Sequence, residues 1–204
     1  MTKLIFRNDD VNPNSNFKHI GEIYSIILTK FPNAEIWSCI NIFGKINPDG
    51  MVYPKTKLRI NTRDFYDVDS VFDFRQLPSL HTPVSHGLFH FNHSILTYET
   101  QRFSILSSCH LLNTKLFIPP FNEWNEKTEK ICRIGNIQLI GDSAYNNLVR
   151  ESRNEIPLKT DTGTWINIDR NPIDKEHNNY CFHSWKFTPE SFKKVLDLYS
   201  QNTT

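Results

Sequence analysis

Two carboxylates in a row and a spaced set of histidines are the residues in this chain that could do chemistry. Asp9 and Asp10 stand in "FRNDDVN" (6–12), and His86, His90 and His93 stand in "SHGLFHFNHS" (85–94). Adjacent aspartates after an apolar strand read equally well as a cap on the turn that follows. In extended chain they also point to opposite faces, so both reach one site only if the backbone turns there. His86 and His90 are four apart. On a helical turn they share a face with Cβ atoms roughly 5–6 Å apart, which lets two imidazoles hold one metal ion. The plain alternative is two surface histidines on a loop. His93 reads as a third ligand, a group behind the ligands, or neither, and the last two are favoured.

Two histidines and one carboxylate form a three-ligand catalytic zinc site that leaves a position open for water. Such a site makes water acidic near neutral pH. A second carboxylate beside it can take the proton, and a histidine across it can protonate a leaving group. The sequence supplies a full set: Asp10, His86 and His90 for a metal, Asp9 as base and His183 as acid.

These side chains need elements that bring them together. "KLIF" (3–6) reads as a buried strand, and residues 17–32 as a helix with Ile20, Ile23, Tyr24, Ile27 and Leu28 at helical spacing, stopped by Pro32. Residues 35–44 read as a strand, 47–50 as a turn, and 62–79 as a long connection with one short helix. "TPVSHG" (82–87) is a strand end. Residues 98–114 form an amphipathic helix with Phe103, Leu106 and His110 or Leu111 near one face. "KLFIPPFN" (115–122) is a strand halted by Pro119 and Pro120. A helix over 126–135 carries Gly135 at its C-cap. Strands follow at 137–143, 163–169 and 179–185, and a helix at 188–200 has Thr188 as cap and Phe192, Val195, Leu196 and Tyr199 as its stripe. This alternation predicts a largely parallel α/β sheet or barrel whose functional groups converge at the C-terminal ends of the strands. Asp9, Asp10, His86, residues 119–122, Asp142 and His183 all fall at such ends.

Composition narrows the classes. The 204 residues suit one domain spanning 1–204. Lys plus Arg number 23 against 22 Asp plus Glu, so no basic field argues for nucleic acid or anionic lipid. The four cysteines form no C-x-x-C pair. The opening "MTKLIFRNDD" resembles neither a signal peptide nor an anchor, and no apolar run is long enough to span a bilayer. A cytoplasmic protein with free thiols is the expectation.

Taken together, "FRNDDV" (6–11), "HGLFH" (86–90), "FIPPFN" (117–122) and "CFHSW" (181–185) resemble, in order and spacing over nearly the whole chain, the motifs of the polysaccharide deacetylase superfamily, the NodB-like domain of carbohydrate esterase family four. The Gly after the first His is similar to a divergent branch, the WbmS-type proteins of O-antigen synthesis. The resemblance implies a deformed (β/α)7 barrel. It implies Asp9 as general base, Asp10, His86 and His90 as ligands of a divalent metal, usually Zn2+, and His183 as general acid. It implies that the backbone N–H near Phe121 helps hold an oxyanion, with Pro120 beside it. The implied reaction removes an acyl group, typically acetyl, from an amino sugar or glycan intermediate, through water activated by the metal. The sequence departs from the pattern in three places. Val11 stands where the family has glycine after the Asp pair. Ile118 stands where it has an arginine, a charge that Arg7 can supply. The family's fourth motif has a loose counterpart in "TGTWINID" with Trp165, and Asn122 and Trp124 are the other candidates to line a substrate pocket.

Two alternatives stay open. One is a different hydrolase on this scaffold, an amidohydrolase or a glycosidase, although a glycosidase needs carboxylates across the scissile bond rather than adjacent in sequence. The other is a carbohydrate-binding protein without catalysis.

Overall fold

In the computed structural model, the strand that carries the two aspartates sits inside the sheet. The structure describes residues 3–44, 70–77, 81–141, 165–171, 173 and 177–201. Strand β1 (Ile5–Val11) is flanked on both sides by parallel neighbours, β2 (Glu35–Ile40) and β9 (Asn179–Phe182). Helix α1 (Phe17–Lys30), β3 (Phe43–Gly44), β4 (Ser70–Val71) and β5 (Thr82–Ser85) follow in chain order. Next come α2 (Tyr98–Leu111), β6 (Leu116–Phe117), α3 (Glu126–Ile134), β7 (Gln138–Leu139), β8 (Trp165–Asn167) and, after β9, α4 (Pro189–Gln201). Seven strands form one sheet in the order β7-β6-β5-β2-β1-β9-β8, with every pairing parallel. The sheet curls as the expected deformed (β/α)7 barrel, and β3 and β4 form a separate antiparallel ribbon. No described helix is long and apolar enough to cross a membrane.

The period of two along β1 sorts its side chains between the two faces of the sheet. Phe6 packs with Tyr24, Tyr180, Phe182 and Phe192 under α1 and α4. Arg7 turns the other way, onto Trp165, which packs with Trp37, Cys39, Val84, Ile118, Ile140 and Cys181. Asn8 returns to the helix side, where its amide donates to the Tyr24 hydroxyl and to Ser184 Oγ. The strand thus runs well past the four residues expected of it, because both neighbours supply backbone partners to its polar half.

The apolar stripes expected for α1 and α4 match what is buried: Ile20, Ile23, Tyr24 and Ile27 on one helix, Phe192 and Leu196 on the other. Helix α2 differs. Phe103 and Leu111 are exposed, and the buried face carries Gln101, Ser104, Ile105, Ser108 and Cys109. Its hydroxyls face the sheet because they serve it: Ser104 Oγ accepts the Leu88 N–H and Ser108 Oγ pairs with Ser85 Oγ. Satisfied inward polar groups defeat a reading by hydropathy. Gly135 does cap α3, but with φ −78°. The left-handed residue is Asn136, and Gly135 sits close against the side chains of Leu106 and Ile137, where a Cβ would meet Leu106 Cδ2 at 2.8 Å. The expected turn at 47–50, most of the 62–79 connection and Asp142 lie outside the described residues.

Gly87 is the hinge that sends the chain from β5 back over the sheet. Its φ is +89°, and a Cβ would lie 2.9 Å from His93 Cε1 and 3.1 Å from the Phe89 carbonyl oxygen. Gly87→Ala is expected to destabilise the fold by about 2 kcal/mol, a fall of roughly 4–8 °C in Tm for a chain of this size. Thermal denaturation checks this, and an unchanged Tm contradicts the assigned strain.

Candidate active site

The alternation along β1 predicts that Asp9 shares a face with Arg7, and the structure has Arg7 Nη2 donating to Asp9 Oδ2 at 2.8 Å, with both residues buried. Burial alone would lower the guanidinium pKa, but the charge of Asp9 overcomes it and raises it above its ordinary value. Asp9 Oδ1 has no hydrogen-bond partner among the described residues.

Asp10 would then fall on the helix side with Asn8. It does not, because the backbone turns there. Asp10 has φ +62°, and the pairing register of β1 with β2 shifts between Asn8 and Val11. The left-handed residue is a local bulge, of the kind that re-aims a side chain at a strand end. Aspartate tolerates this conformation better than most residues. Asn12 Nδ2 donates to the Asp10 carbonyl and steadies the turn.

Re-aimed, Asp10 meets three imidazoles. Its Oδ1 lies 2.8 Å from His90 Nε2 and 3.3 Å from His86 Nε2, and its Oδ2 lies 3.4 Å from His183 Nε2. Burial favours the neutral acid, but bonds to His183, His86 and His90 outweigh it and hold the carboxyl well below its usual range. One ligand atom each from Asp10, His86 and His90 lie within 4.8 Å of one another.

The two histidines do not share a helical turn. Residues 86–90 form a bent loop, and Gly87 folds it so that the rings stand 5.2 Å apart. The loop is anchored by the sheet end: the His86 N–H donates to Ile40 O, and Asn41 Nδ2 donates to His86 O. His86 Nδ1 lies 2.7 Å from the Ile118 carbonyl oxygen. A carbonyl only accepts, so Nδ1 carries the proton, and in the neutral ring Nε2 is a lone pair aimed at a carboxylate. Two acceptors facing each other call for a cation between them or for an extra proton. This donor set, with a fixed tautomer supported from behind, fits a divalent metal.

His183 follows β9. Its Nδ1 donates to Asp169 Oδ2 at 2.5 Å, and Lys186 Nζ reaches the same oxygen at 2.8 Å. Burial would lower the imidazole pKa, but bonds to Asp10 and Asp169, with the charges of Asp9 and Asp10, raise it to about 10. Asp169 is not among the residues that the motifs mark. Its signal was available, since it is a carboxylate just past a strand end like the others.

The proline segment folds into a tight turn over Pro120–Asn122, in which Phe121 (φ 62°) and Asn122 (φ 53°) are both left-handed. The Phe121 ring packs edge-on to His90 at 4.5 Å, Pro120 is buried, and Asn122 Oδ1 is buried with no partner among the described residues. Two other expected pocket residues are engaged elsewhere. Trp124 packs with the cluster beneath α2 and α3 and donates to Glu129 Oε1. Trp165 is 6% exposed, covered by the Arg7 guanidinium 4.6 Å from its ring and packed on Trp37. His93 is fully buried, with Nδ1 bonded to Phe91 O and Nε2 to Ser104 Oγ, so it stands behind the loop and outside the ligand set.

The fold is that of carbohydrate esterase family four. A family 4 carbohydrate esterase from Streptomyces lividans, solved with acetate, superposes with a TM-score of 0.55 at 10% identity, over 98% of this chain and 88% of that one. A pseudoenzyme of the same family from Bacillus anthracis superposes at 0.53 with 13% identity, over 99% of this chain and 62% of that one. A mutant of that pseudoenzyme with restored enzymatic activity superposes at 0.53 with 12% identity, over 98% of this chain and 64% of its own. This chain therefore spans under two thirds of the Bacillus anthracis protein. No protein-family profile matches the sequence, and no curated protein is significantly similar to it.

The interior position of His93 has a consequence for stability. Burial holds its pKa at about 3, against 6.5 in the unfolded chain. Above pH 6.5 neither state takes the proton. Between 6.5 and 3 only the unfolded chain does, so this residue makes the fold lose stability as pH falls through that window. His93→Gln, which keeps a neutral polar group, is expected to flatten that part of the pH–stability curve. Urea unfolding at pH 7, 5.5 and 4.5 compares the slopes, and parallel curves for the two proteins contradict the assignment.

Proposed function

We propose that this protein is a metal-dependent hydrolase that removes an N-acyl group, typically acetyl, from an amino sugar or glycan intermediate, with residues 1–204 forming one catalytic domain. The observation that carries the proposal is the aim of the His86 and His90 Nε2 atoms at the Asp10 carboxylate, whose other oxygen faces His183 Nε2. Asp10, His86 and His90 would hold the metal, zinc by the two-nitrogen, one-oxygen donor set. Bound there, the ion would supply Lewis acidity, polarising the amide carbonyl and making a water molecule more acidic.

The chain's own groups divide the proton work. Asp9 Oδ1, buried beside the Cys39 thiol, is the acceptor assigned to the proton of the attacking water, while Arg7 holds Oδ2 and fixes the carboxylate. Water adds to the acyl carbon and the C–N bond breaks. His183 carries the proton on Nε2 that the departing amine takes, and Asp169 holds its ring from Nδ1. The products are a carboxylate and a free amino sugar. Arg7 takes the part that the family resemblance gives to an arginine near position 118. The left-handed turn at Phe121 is where a backbone N–H would meet the developing oxyanion.

A glycosidase is disfavoured by the same geometry. It needs one carboxyl group kept protonated as acid, whereas Asp10 is held ionised by its imidazoles and Asp9 is tied to a guanidinium. The Bacillus anthracis neighbour is a pseudoenzyme, so the scaffold alone does not decide catalysis. The resemblance to WbmS-type proteins extends the proposal to intermediates of O-antigen synthesis in the cytoplasm.

The two aspartates are expected to fail differently. Asp10→Asn and His86→Ala should lose zinc, read as metal content after dialysis. Asp9→Asn keeps an acceptor for Arg7 and should retain zinc near one per chain, while acetate release from N-acetylated sugars falls about 10²–10⁴-fold. Equal loss of zinc in Asp9→Asn and Asp10→Asn overturns the division of roles, and a wild-type protein that binds no divalent metal overturns the function.

A further inference from the structure

Four tryptophans are present, and three of them are committed to packing or hydrogen bonds within the protein. The fourth, Trp185, is 65% exposed. It stands two residues after His183, with ring centroids 5.5 Å apart and planes inclined at 58°. We propose that Trp185 is the stacking platform for the pyranose ring of the substrate and sets the enzyme's preference for sugar over other acylated amines. This inference rests on the hydrolase reading above.

Three features favour a binding role over chance exposure. First, the backbone that carries the ring is anchored at the residue before it. It lies in a tight turn, Ser184–Lys186, whose first residue is buried and clamped to β1: the Ser184 N–H donates to Asn8 Oδ1, Asn8 Nδ2 donates to Ser184 Oγ, and His19 Nε2 donates to the Ser184 carbonyl. Asn8 precedes Asp9 and Asp10 directly, so the platform and the carboxylates share one rigid support. Second, the Lys186 ammonium lies over the ring 5.2 Å from its centroid while bound to Asp169. One face of the indole is therefore occupied by a cation, and the exposure belongs to the remainder of the ring. Third, an exposed indole loses water favourably when an apolar surface covers it, and its fused rings offer a flat area of the size of a pyranose. The axial C–H face of a sugar presents such a surface, while its hydroxyl edge stays wet. Placed on Trp185, a sugar ring lies beside the His183 imidazole, the group proposed to protonate the amino nitrogen on that ring.

The test uses the zinc-loaded full chain with N-acetylglucosamine, N-acetylgalactosamine and tri-N-acetylchitotriose. In steady-state assays of acetate release, Trp185→Ala is expected to raise KM about tenfold with kcat changed less than about twofold, and Trp185→Phe to restore most of the affinity. Tryptophan fluorescence reads binding independently of turnover: the same sugars should change wild-type emission and leave Trp185→Phe emission unaltered. Wild-type turnover with an unchanged KM in Trp185→Ala overturns the platform and leaves the hydrolase reading standing. A Trp185-dependent fluorescence change without acetate release does the reverse. Neither turnover nor a fluorescence change overturns both.

Discussion

A guanidinium buried inside a barrel must have a carboxylate, and this requirement organises the site. Arg7 is 1% exposed and lies against Trp165 among apolar neighbours. Left unpaired, a charge in such a place would cost several kcal/mol. The partner is Asp9, two residues on and on the same face of the strand. That pairing settles what Asp10 can be. With Asp9 committed to Arg7 by one oxygen, the carboxylate free to gather imidazoles is the next one. It reaches them only because the chain leaves strand geometry at that residue. The inequivalence of two adjacent, chemically identical residues thus follows from a cation two positions upstream and one left-handed backbone angle.

Much of this was readable from residue types, and the parts that were not share a physical cause. The alternation of strands and helices is legible from apolar periods, and so are the ends of β1, β5 and β9, whose Asp10, His86 and His183 meet. The buried face of α2 was not, because serines that satisfy backbone and hydroxyl partners look like a solvent face in a sequence. The length of β1 was hidden because "RNDD" reads as a polar loop until both neighbouring strands are known. His86 and His90 were identified by a spacing that suits a helix, yet a glycine-hinged loop brings them together. The residues were legible and the backbone between them was not. Asp169 escaped because its meaning depends on His183, on the adjacent strand. Trp124 and Trp165 are pocket candidates by type, and type alone does not say which way an indole faces.

The scaffold comparison bears on fold and stops there. An esterase and a pseudoenzyme superpose on this chain almost equally well, at TM-scores of 0.55 and 0.53. Function on such a scaffold resides in a few side chains. What this chain adds is a pair of titratable groups whose environments push them apart. Asp10 is driven to its ionised form by three imidazoles, and His183 is driven to its protonated form between two carboxylates. Opposed shifts of that kind are what a site with divided acid and ligand roles would need.

The two sides of the site are also mechanically one. Alternate residues of β1 serve different partners: Arg7 and Asp9 face the barrel interior, while Asn8 faces the helices, where its Nδ2 donates to the Tyr24 hydroxyl and to Ser184 Oγ and its Oδ1 accepts the Ser184 N–H in the turn after β9. That turn carries His183, Trp185 and Lys186. β1 and the turn after β9 are therefore linked, so Asp9, Asp10 and His183 share one support. Precise relative placement is what proton transfer at both ends of one bond demands. A strand buried between two parallel neighbours, with both faces committed to polar partners, is a stiffer frame for it than any loop.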